Sequence, residues 1–245
     1  MKILVCISNV PDTTTKVTFT EGNTQFNNAG VQYIINPYDE LALTRALELT
    51  EAQGGTVTVV NVGLAETETN IRKALAIGAT DAIRINAMPV DAYYVAEQIA
   101  EVVKNGDYDL VITGRESIDY NGGQMCGLLA EMLEWPGINV VTKIDIEDGK
   151  ATCERDIDGG KEKVRCALPC VVSAQKELTE PRIPNMRGIM AARTKPLQVL
   201  EPIQNQIHTK VSEYEMPPAK SICKMIDPAD AGQLIALLHT EAKVI

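Results

Sequence analysis

The chain has 245 residues, of which 45% are hydrophobic and 23% are charged. These values are ordinary for a globular protein and exclude a disordered or fibrous chain. With 23 Lys and Arg against 33 Asp and Glu, the formal net charge is -10, which argues against nucleic-acid binding through a broad basic face. Runs of about 18 apolar residues do not occur, and Pro11 breaks the short apolar start. The sequence therefore predicts neither membrane insertion nor export, and favours a cytoplasmic location.

Cysteine and histidine spacing gives no support to metal or nucleophile chemistry. The two histidines, His208 and His239, lack an i+4 partner and a neighbouring cysteine. The cysteines form no C-x-x-C pair, and most lie in apolar runs: Cys6, Cys126, Cys153, Cys166, Cys170 and Cys223. This pattern predicts buried thiols in a reducing compartment. We therefore predict no metal site and no catalytic residues.

Apolar, β-branched runs alternate with helical patterns along the first half of the chain. The apolar runs predict buried parallel strands at 2–7, 57–62, 82–85 and 110–113. The periodic segments between and after them predict helices at 37–53, 66–78, 91–105 and 122–134. Pro37 suits the first turn of one helix, and Gly78 suits the end of the next. The alternation predicts an α/β fold with a doubly wound, mostly parallel sheet.

Two segments depart from this alternation. Residues 14–35 are polar and predict a hairpin-like insertion around Glu21-Gly22-Asn23. Residues 138–175 predict antiparallel strands, with tight turns at 147–150 and 158–160. The sheet is therefore expected to be mixed, with antiparallel additions.

The composition changes after about residue 180. Residues 182–200 contain no acid but four basic side chains, Arg182, Arg187, Arg193 and Lys195, which predicts a positive face that meets a partner. Four prolines at 196–218 predict an extended C-terminal arm, followed by a short helix at 228–241. A solvated tail is one interpretation. Packing on a neighbouring subunit is favoured, because the arm is apolar at Ile222, Met225, Leu234, Leu237 and Leu238.

A glycine-containing loop, DYNGGQM at 119–125, follows the fourth predicted strand and precedes a helix. Neither G-x-G-x-x-G nor G-x-x-x-x-G-K-S/T occurs, so nucleotide hydrolysis by a P-loop is not expected. Glycines at such a turn let backbone amides approach phosphate, and the helix N-terminus attracts negative charge. Segments 36–39 and 62–63 fall at the same expected crevice. Two interpretations stay open: a nucleotide site, or glycines that merely make a turn.

Seven motifs, taken in order, resemble those of the β subunit of electron transfer flavoproteins, and the resemblance covers essentially the whole chain. They are the strand 3–7 leading to VPDT at 10–13, NPYD at 36–39, KALAIGA at 73–79, the loop 114–125, ERDIDGG at 154–160, LP at 168–169, and EPR at 180–182 followed by GIM at 188–190. The resemblance implies a fold of the adenine nucleotide α-hydrolase type.

The resemblance also implies a function. It implies an electron carrier subunit in a heterodimer, with one redox FAD held mainly by a larger α subunit. Acyl-CoA dehydrogenases of fatty acid oxidation would supply the electrons, and a quinone oxidoreductase of electron transfer flavoproteins would accept them. In the respiratory branch the β subunit holds a structural AMP. In the electron-bifurcating branch it holds a second FAD, and NADH is the donor.

A function of another class also remains open. The chain could be an adenine-nucleotide binding or signalling module, or an enzyme similar to ATP pyrophosphatases, on a related fold. That function would need a phosphate motif and a metal-binding carboxylate pair, and neither is visible in the sequence.

By position, the resemblance places a set of side chains at the nucleotide and the flavin. The pocket would be lined by Cys6, Asn36, Pro37, Tyr38, Asp39, Val62, Asp119, Asn121, Gly122, Gly123, Gln124, Met125, Cys126 and Gly127, and Thr13 would lie at the flavin. The chain departs from the family in its shorter loop before Gly123. It also has Thr13 where the respiratory branch tends to have an aromatic residue.

The segment after Glu180-Pro181-Arg182 corresponds to the family's recognition loop for dehydrogenases. Met186 takes the place of its apolar anchor, and the alternative is an ordinary exposed loop residue. The partner-binding residues would be Arg182, Met186, Arg187, Ile189, Met190 and Arg193. Three regions follow: a nucleotide-binding domain at 1–180, a recognition loop at 181–195, and an arm at 196–245 that packs on the partner subunit.

Overall fold

A computed structural model describes residues 1–220 and 223–245 of the chain. Its strands, in chain order, are β1 (Lys2–Cys6), β2 (Asn9–Pro11), β3 (Phe19–Thr20), β4 (Gln25–Phe26), β5 (Tyr33–Ile35), β6 (Thr56–Val62), β7 (Asp81–Ile85), β8 (Leu110–Gly114), β9 (Gly137–Glu147), β10 (Lys150–Ile157), β11 (Gly160–Ala167), β12 (Cys170–Ala174) and β13 (Leu197–Leu200). Its helices are α1 (Pro37–Gln53), α2 (Glu68–Ile77), α3 (Ala92–Lys104), α4 (Met125–Leu133), α5 (Met186–Ala192) and α6 (Ala231–Leu237).

The centre of the fold is a nine-stranded sheet in the order β11-β10-β9-β12-β8-β1-β6-β7-β13. From β9 to β13 the neighbouring strands are parallel, whereas β10 pairs antiparallel with both β9 and β11. The chain moves from β1 to β6 and β7, and then returns to β8 on the other side of β1. This reversal is the topological switch point of a doubly wound sheet, so the predicted fold class is confirmed.

Helices cover both faces of the sheet. On β1, Ile3 and Val5 pack with the side chains of α1 and α2, whereas Leu4 and Cys6 pack with those of α3 and α4. Strands covered on both faces must be apolar throughout, and this explains the continuous buried runs seen in the sequence. The arrangement leaves the carboxyl ends of β1, β6 and β8 side by side at one edge.

The predicted helices agree with the structure apart from their ends. Helix α1 has the predicted bounds, and α2 follows a 3-10 turn at Ala65–Thr67 and ends at Gly78, whose φ is 153°. Asp91 caps α3 by accepting a hydrogen bond from Tyr94 N at 2.6 Å. The fourth helix begins at Met125 and not at residue 122, because Gly122 O accepts a hydrogen bond from Ser117 N within the preceding loop.

Two predictions for strand pairing have different outcomes. The hairpin in 14–35 is confirmed as β3 and β4, with Glu21 and Asn23 at positive φ in its turn. In 138–175, β9, β10 and β11 are antiparallel as predicted, but β12 is parallel to both β8 and β9. The antiparallel assignment of β12 was wrong. Every residue of β12 is buried, as is typical of a strand covered on both faces.

The C-terminal part is more ordered than predicted. Strand β13 extends the sheet beside β7, where an irregular arm was expected. Helix α5 replaces part of the expected recognition loop. The expected helix at 228–241 is present as α6, followed by a π-helical turn at Leu238–Ala242. Among the arm residues singled out in the sequence, Ile222 lies outside the described residues.

The arm lies across its own subunit before it reaches its end. The Gln98 side chain on α3 donates to Ile203 O and accepts from Ile203 N, both at 2.9 Å. Farther along, the rings of Tyr214 and Phe19 stack with centroids 4.6 Å apart. Packing on a partner subunit stays a prediction, and it now concerns mainly the residues after Tyr214.

The thiols agree only in part with the expectation of buried cysteines. Four are buried, but Cys166 is half-buried and Cys223 is exposed, which corrects the prediction for these two. Over the described ranges 1–220 and 223–245, no helix is long and apolar enough to cross a membrane. Within the same ranges, His, Cys, Asp and Glu side chains form no group of three or more that could hold a metal ion.

Candidate nucleotide site and partner surface

A buried carboxylate connects several elements at the edge of the sheet where the parallel strands end. Asp39, in the first turn of α1, is 5% exposed. Its Oδ2 accepts hydrogen bonds from Ser8 N at 2.7 Å and from Ser8 Oγ at 2.6 Å, and Ser8 lies two residues after the end of β1. Its Oδ1 accepts from Gly114 N at the end of β8 and from Asn36 Nδ2, both at 3.0 Å. One side chain therefore joins β1, β8 and α1 at the switch point.

Burial and hydrogen bonds shift the pKa of Asp39 in opposite directions. Burial raises the pKa of this carboxyl from 3.8 to about 6, and the hydrogen bonds from Ser8, Asn36 and Gly114 limit the rise. The four donors that reach this carboxyl, and its place at the positive end of the α1 dipole, favour the ionised form. Gly114 has no room for a side chain, because a Cβ there would collide with Asp39 Oδ1.

Asn36 extends this connection to the loop after β8. Its Nδ2 also donates to Glu116 O at 2.8 Å, and its Oδ1 accepts from Ile118 N at 3.3 Å. Asn36 is itself buried. Asn36 and Asp39 therefore fix the backbone around the crevice. Both side chains were expected to line a nucleotide pocket, and that expectation stays a prediction.

The loop at 115–124 presents glycines and a helix N-terminus at the same edge. Asn121 has a φ of 56°, and Ser117 pairs with Gly122, so the loop closes on itself before α4. Gln124 precedes α4 and makes no side-chain cap hydrogen bond within the described residues. Among the described residues, the first amides of α4 therefore receive no side-chain cap from Gln124, and uncapped amides at a helix N-terminus can donate to an anionic group.

The predicted site also includes residues at the ends of β1 and β6. Cys6 ends β1 and Val62 ends β6, and both are buried. Burial strongly raises the pKa of the Cys6 thiol, so this sulfur remains neutral and serves as packing. Gly63 follows Val62, and its N–H donates to Ile85 O at 3.0 Å.

The predicted pocket residues divide by exposure. The side chains or backbone are buried at Cys6, Asn36, Asp39, Val62 and Cys126. Partly exposed positions are Pro37, Tyr38, Gly122 and Met125, and exposed positions are Asp119, Asn121, Gly123, Gln124 and Gly127. Thr13 lies in the exposed turn after β2, outside the group hydrogen-bonded to Asp39. Ser8 and Gly114 were missed. Their signal in the sequence is that each immediately follows or ends a buried strand.

The predicted recognition segment is a short helix docked on α2. Asn185 caps α5 by accepting from Gly188 N at 2.8 Å. A Cβ on Gly188 would collide with Ala76 O, so the two helices are in close contact. Arg72 on α2 donates to Ala192 O at 2.9 Å and to Lys195 O at 2.8 Å, and it holds the end of α5.

This docking leaves an apolar surface outward. Met186 is 73% exposed and Met190 is 67% exposed, with Ile183 and Ile189 also exposed. Arg187 and Arg193 are exposed around them. Arg182 differs, because its guanidinium forms a bidentate pair with Glu51 at 2.6 and 2.7 Å. Arg182 therefore anchors the segment to α1, and its expected partner contact stays a prediction.

Known proteins resemble this chain in sequence. A sequence model described as the electron transfer flavoprotein domain matches residues 23–205. The chain is 38% identical to the electron transfer flavoprotein subunit beta of Bacillus subtilis (strain 168), over 100% of both chains. It is 36% identical to that of Syntrophomonas wolfei, over 90% of this chain and 88% of the relative. It is 33% identical to the human subunit, over 82% of each. The chain belongs to the electron transfer flavoprotein family, as a β subunit.

Proposed function

We propose that this chain is the β subunit of a heterodimeric carrier in the cytoplasm, which accepts electrons from acyl-CoA dehydrogenases and passes them to a quinone oxidoreductase. The redox group is FAD, held mainly by the α subunit, and it takes up and releases the electrons. The β subunit holds a structural AMP. Its own residues bind and position, and none acts as a catalytic acid, base or nucleophile.

One observation carries the nucleotide assignment. Asp39 and Asn36 hold the ends of β1 and β8 together with the loop that leads to α4. In the part of the chain that the structure describes, no side chain caps the N-terminus of α4. Backbone amides of a glycine turn and a helix N-terminus suit a phosphate group without any bound metal. A structural nucleotide is compatible with this site, because no phosphate-cleaving motif is needed to hold it.

Partner binding is supported by two exposed apolar surfaces. Helix α5 presents methionines within a basic surround, which suits a pocket with an acidic rim on a dehydrogenase. The end of the arm presents a second set, which suits packing on the α subunit. These exposed residues are Met216, Met225, Leu234, Ile235, Val244 and Ile245.

Anaerobic reduction of the flavin tests the proposal. The heterodimer is mixed with a reduced acyl-CoA dehydrogenase, and the flavin absorbance is followed. We expect rapid bleaching that slows as the salt concentration rises, because opposite charges guide the encounter. NADH alone should not bleach the flavin.

The possible outcomes separate the alternatives. Bleaching by NADH without a dehydrogenase would favour the bifurcating function with a second FAD. Bleaching by neither donor would contradict an electron carrier, and would leave a nucleotide-binding module as the function to test.

A further inference from the structure

Two charged residues are more than nine-tenths buried in the part of the chain that the structure describes, and both lie near the carboxyl ends of the strands. One is Asp39, and the other is Arg84 on β7, which is also 5% exposed. Asp39 joins β1 and β8. Arg84 contacts the turn that follows β6, on the other side of β1 from β8.

The Arg84 guanidinium holds the turn that follows β6. Its Nη1 donates to Gly63 O at 3.0 Å and to Asn86 Oδ1 at 2.9 Å, and its Nε donates to Glu68 Oε1 at 3.1 Å. The N–H of Gly63 is bound as well, by Ile85 O. Both peptide groups of the turn are therefore tied to β7 and the residues that follow it.

The side-chain amide of Asn61, on β6, links this turn to the residue that follows β1. Asn61 is opposite Arg84 in the pairing of β6 with β7, and its Nδ2 donates to Ile7 O at 2.9 Å. Gly63 lies closely against these groups, because a Cβ there would be 2.5 Å from Thr67 Cγ2 and 2.6 Å from Asn61 Oδ1. The turn between Val62 and α2 is therefore closely packed, and both peptide groups of Gly63 are hydrogen-bonded.

A buried arginine is an expensive way to stabilise a fold. Removing its charge from water costs several kcal/mol, and well-packed apolar residues often give equal or greater stability. The Glu68 side chain is 40% exposed, so it remains solvated if the arginine is replaced. Stability alone therefore does not explain why a guanidinium occupies this position.

We propose that Arg84 is a positioning residue of the nucleotide site. It fixes the Gly63 turn so that the β6 wall of the crevice, at Val62, keeps the geometry that the nucleotide requires. This inference rests on the proposed binding of a nucleotide at the carboxyl edge, and it assigns a role to a residue that does not touch the nucleotide.

The test compares Arg84→Met with the natural chain in the intact heterodimer. Each complex is stripped of nucleotide and titrated with AMP by calorimetry, and its melting temperature is measured with and without AMP. We expect Arg84→Met to weaken AMP binding about tenfold. The melting temperature without AMP should fall, because Gly63 O and Asn86 Oδ1 lose their donor. The further rise in melting temperature that AMP produces should become smaller, because AMP binds more weakly. Arg84→Lys keeps one nitrogen that can donate, so its AMP affinity should fall between those of the natural chain and Arg84→Met.

Arg165→Met is the matched control, because Arg165 is an exposed arginine on the edge strand β11. It should bind AMP like the natural chain. Equal AMP affinity in Arg84→Met and the natural chain would overturn this inference and leave the proposed function intact. A lower melting temperature with unchanged AMP affinity would show a merely structural role and would also overturn it. Failure of the natural chain to bind AMP would instead contradict the proposed function on which the inference rests.

Discussion

Replacing Asp39 by alanine should lower the free energy of unfolding by about 2 to 4 kcal/mol and empty the nucleotide site. The substitution leaves donors from Ser8, Asn36 and Gly114 without their acceptor. An unpaired buried donor costs about 1 to 3 kcal/mol, and relief of the burial of the Asp39 charge offsets part of the total. Urea unfolding of the heterodimer, followed by nucleotide analysis, measures both effects.

Glu40→Ala is the control for Asp39→Ala. Glu40 is the next residue of α1 and pairs with Lys73 at 2.6 Å near the surface. Such a pair contributes up to about 1 kcal/mol, so this variant should keep its nucleotide and most of its stability. If Asp39→Ala unfolded at the same urea concentration as Glu40→Ala and retained its nucleotide, Asp39 would not organise the crevice.

Replacing Met186 by alanine should raise the KM for the dehydrogenase about tenfold, with flavin content unchanged. Met186 projects from α5 with 73% of its surface exposed, and the helix itself is held by Arg72 and Lys195. Truncation therefore removes an apolar contact with the partner without loosening the helix. A flexible thioether side chain also suits several different partner pockets.

Met88→Ala is the matched control for Met186→Ala, because Met88 is 58% exposed and lies outside α5. Electron transfer is measured at low heterodimer concentration, where docking limits the rate. An unchanged rate for Met186→Ala, or an equal loss in both variants, would show that α5 is not the docking surface.

The strands and helices of the parallel half could be predicted because covered strands are continuously apolar and their helices are periodic. The pairing of β12 could not, because a buried apolar run carries no signal of its direction. The pairing of β13 could not be predicted either, because its partner β7 lies more than a hundred residues earlier in the sequence. Its short length and the prolines that flank it favoured an irregular arm instead.

The hydrogen-bond partners of the candidate site residues could not be predicted from the sequence. Asn36 and Asp39 were expected to line the pocket, and the structure places their side chains in buried hydrogen bonds that shape the loop. Whether a polar side chain faces a ligand or a backbone amide depends on three-dimensional packing, which spacing does not encode. Arg84 was missed for the same reason, because an arginine within an apolar strand has no motif around it.

Nucleotide analysis of the purified heterodimer tests the central claim most directly. The complex is denatured with acid, and the released nucleotides are identified by chromatography and absorbance. The account predicts one FAD and one AMP per heterodimer, with AMP lost from Asp39→Ala. Two FAD molecules would contradict the structural AMP and indicate a bifurcating enzyme. A stable heterodimer that releases no adenine nucleotide beyond its FAD would contradict the assignment of the crevice.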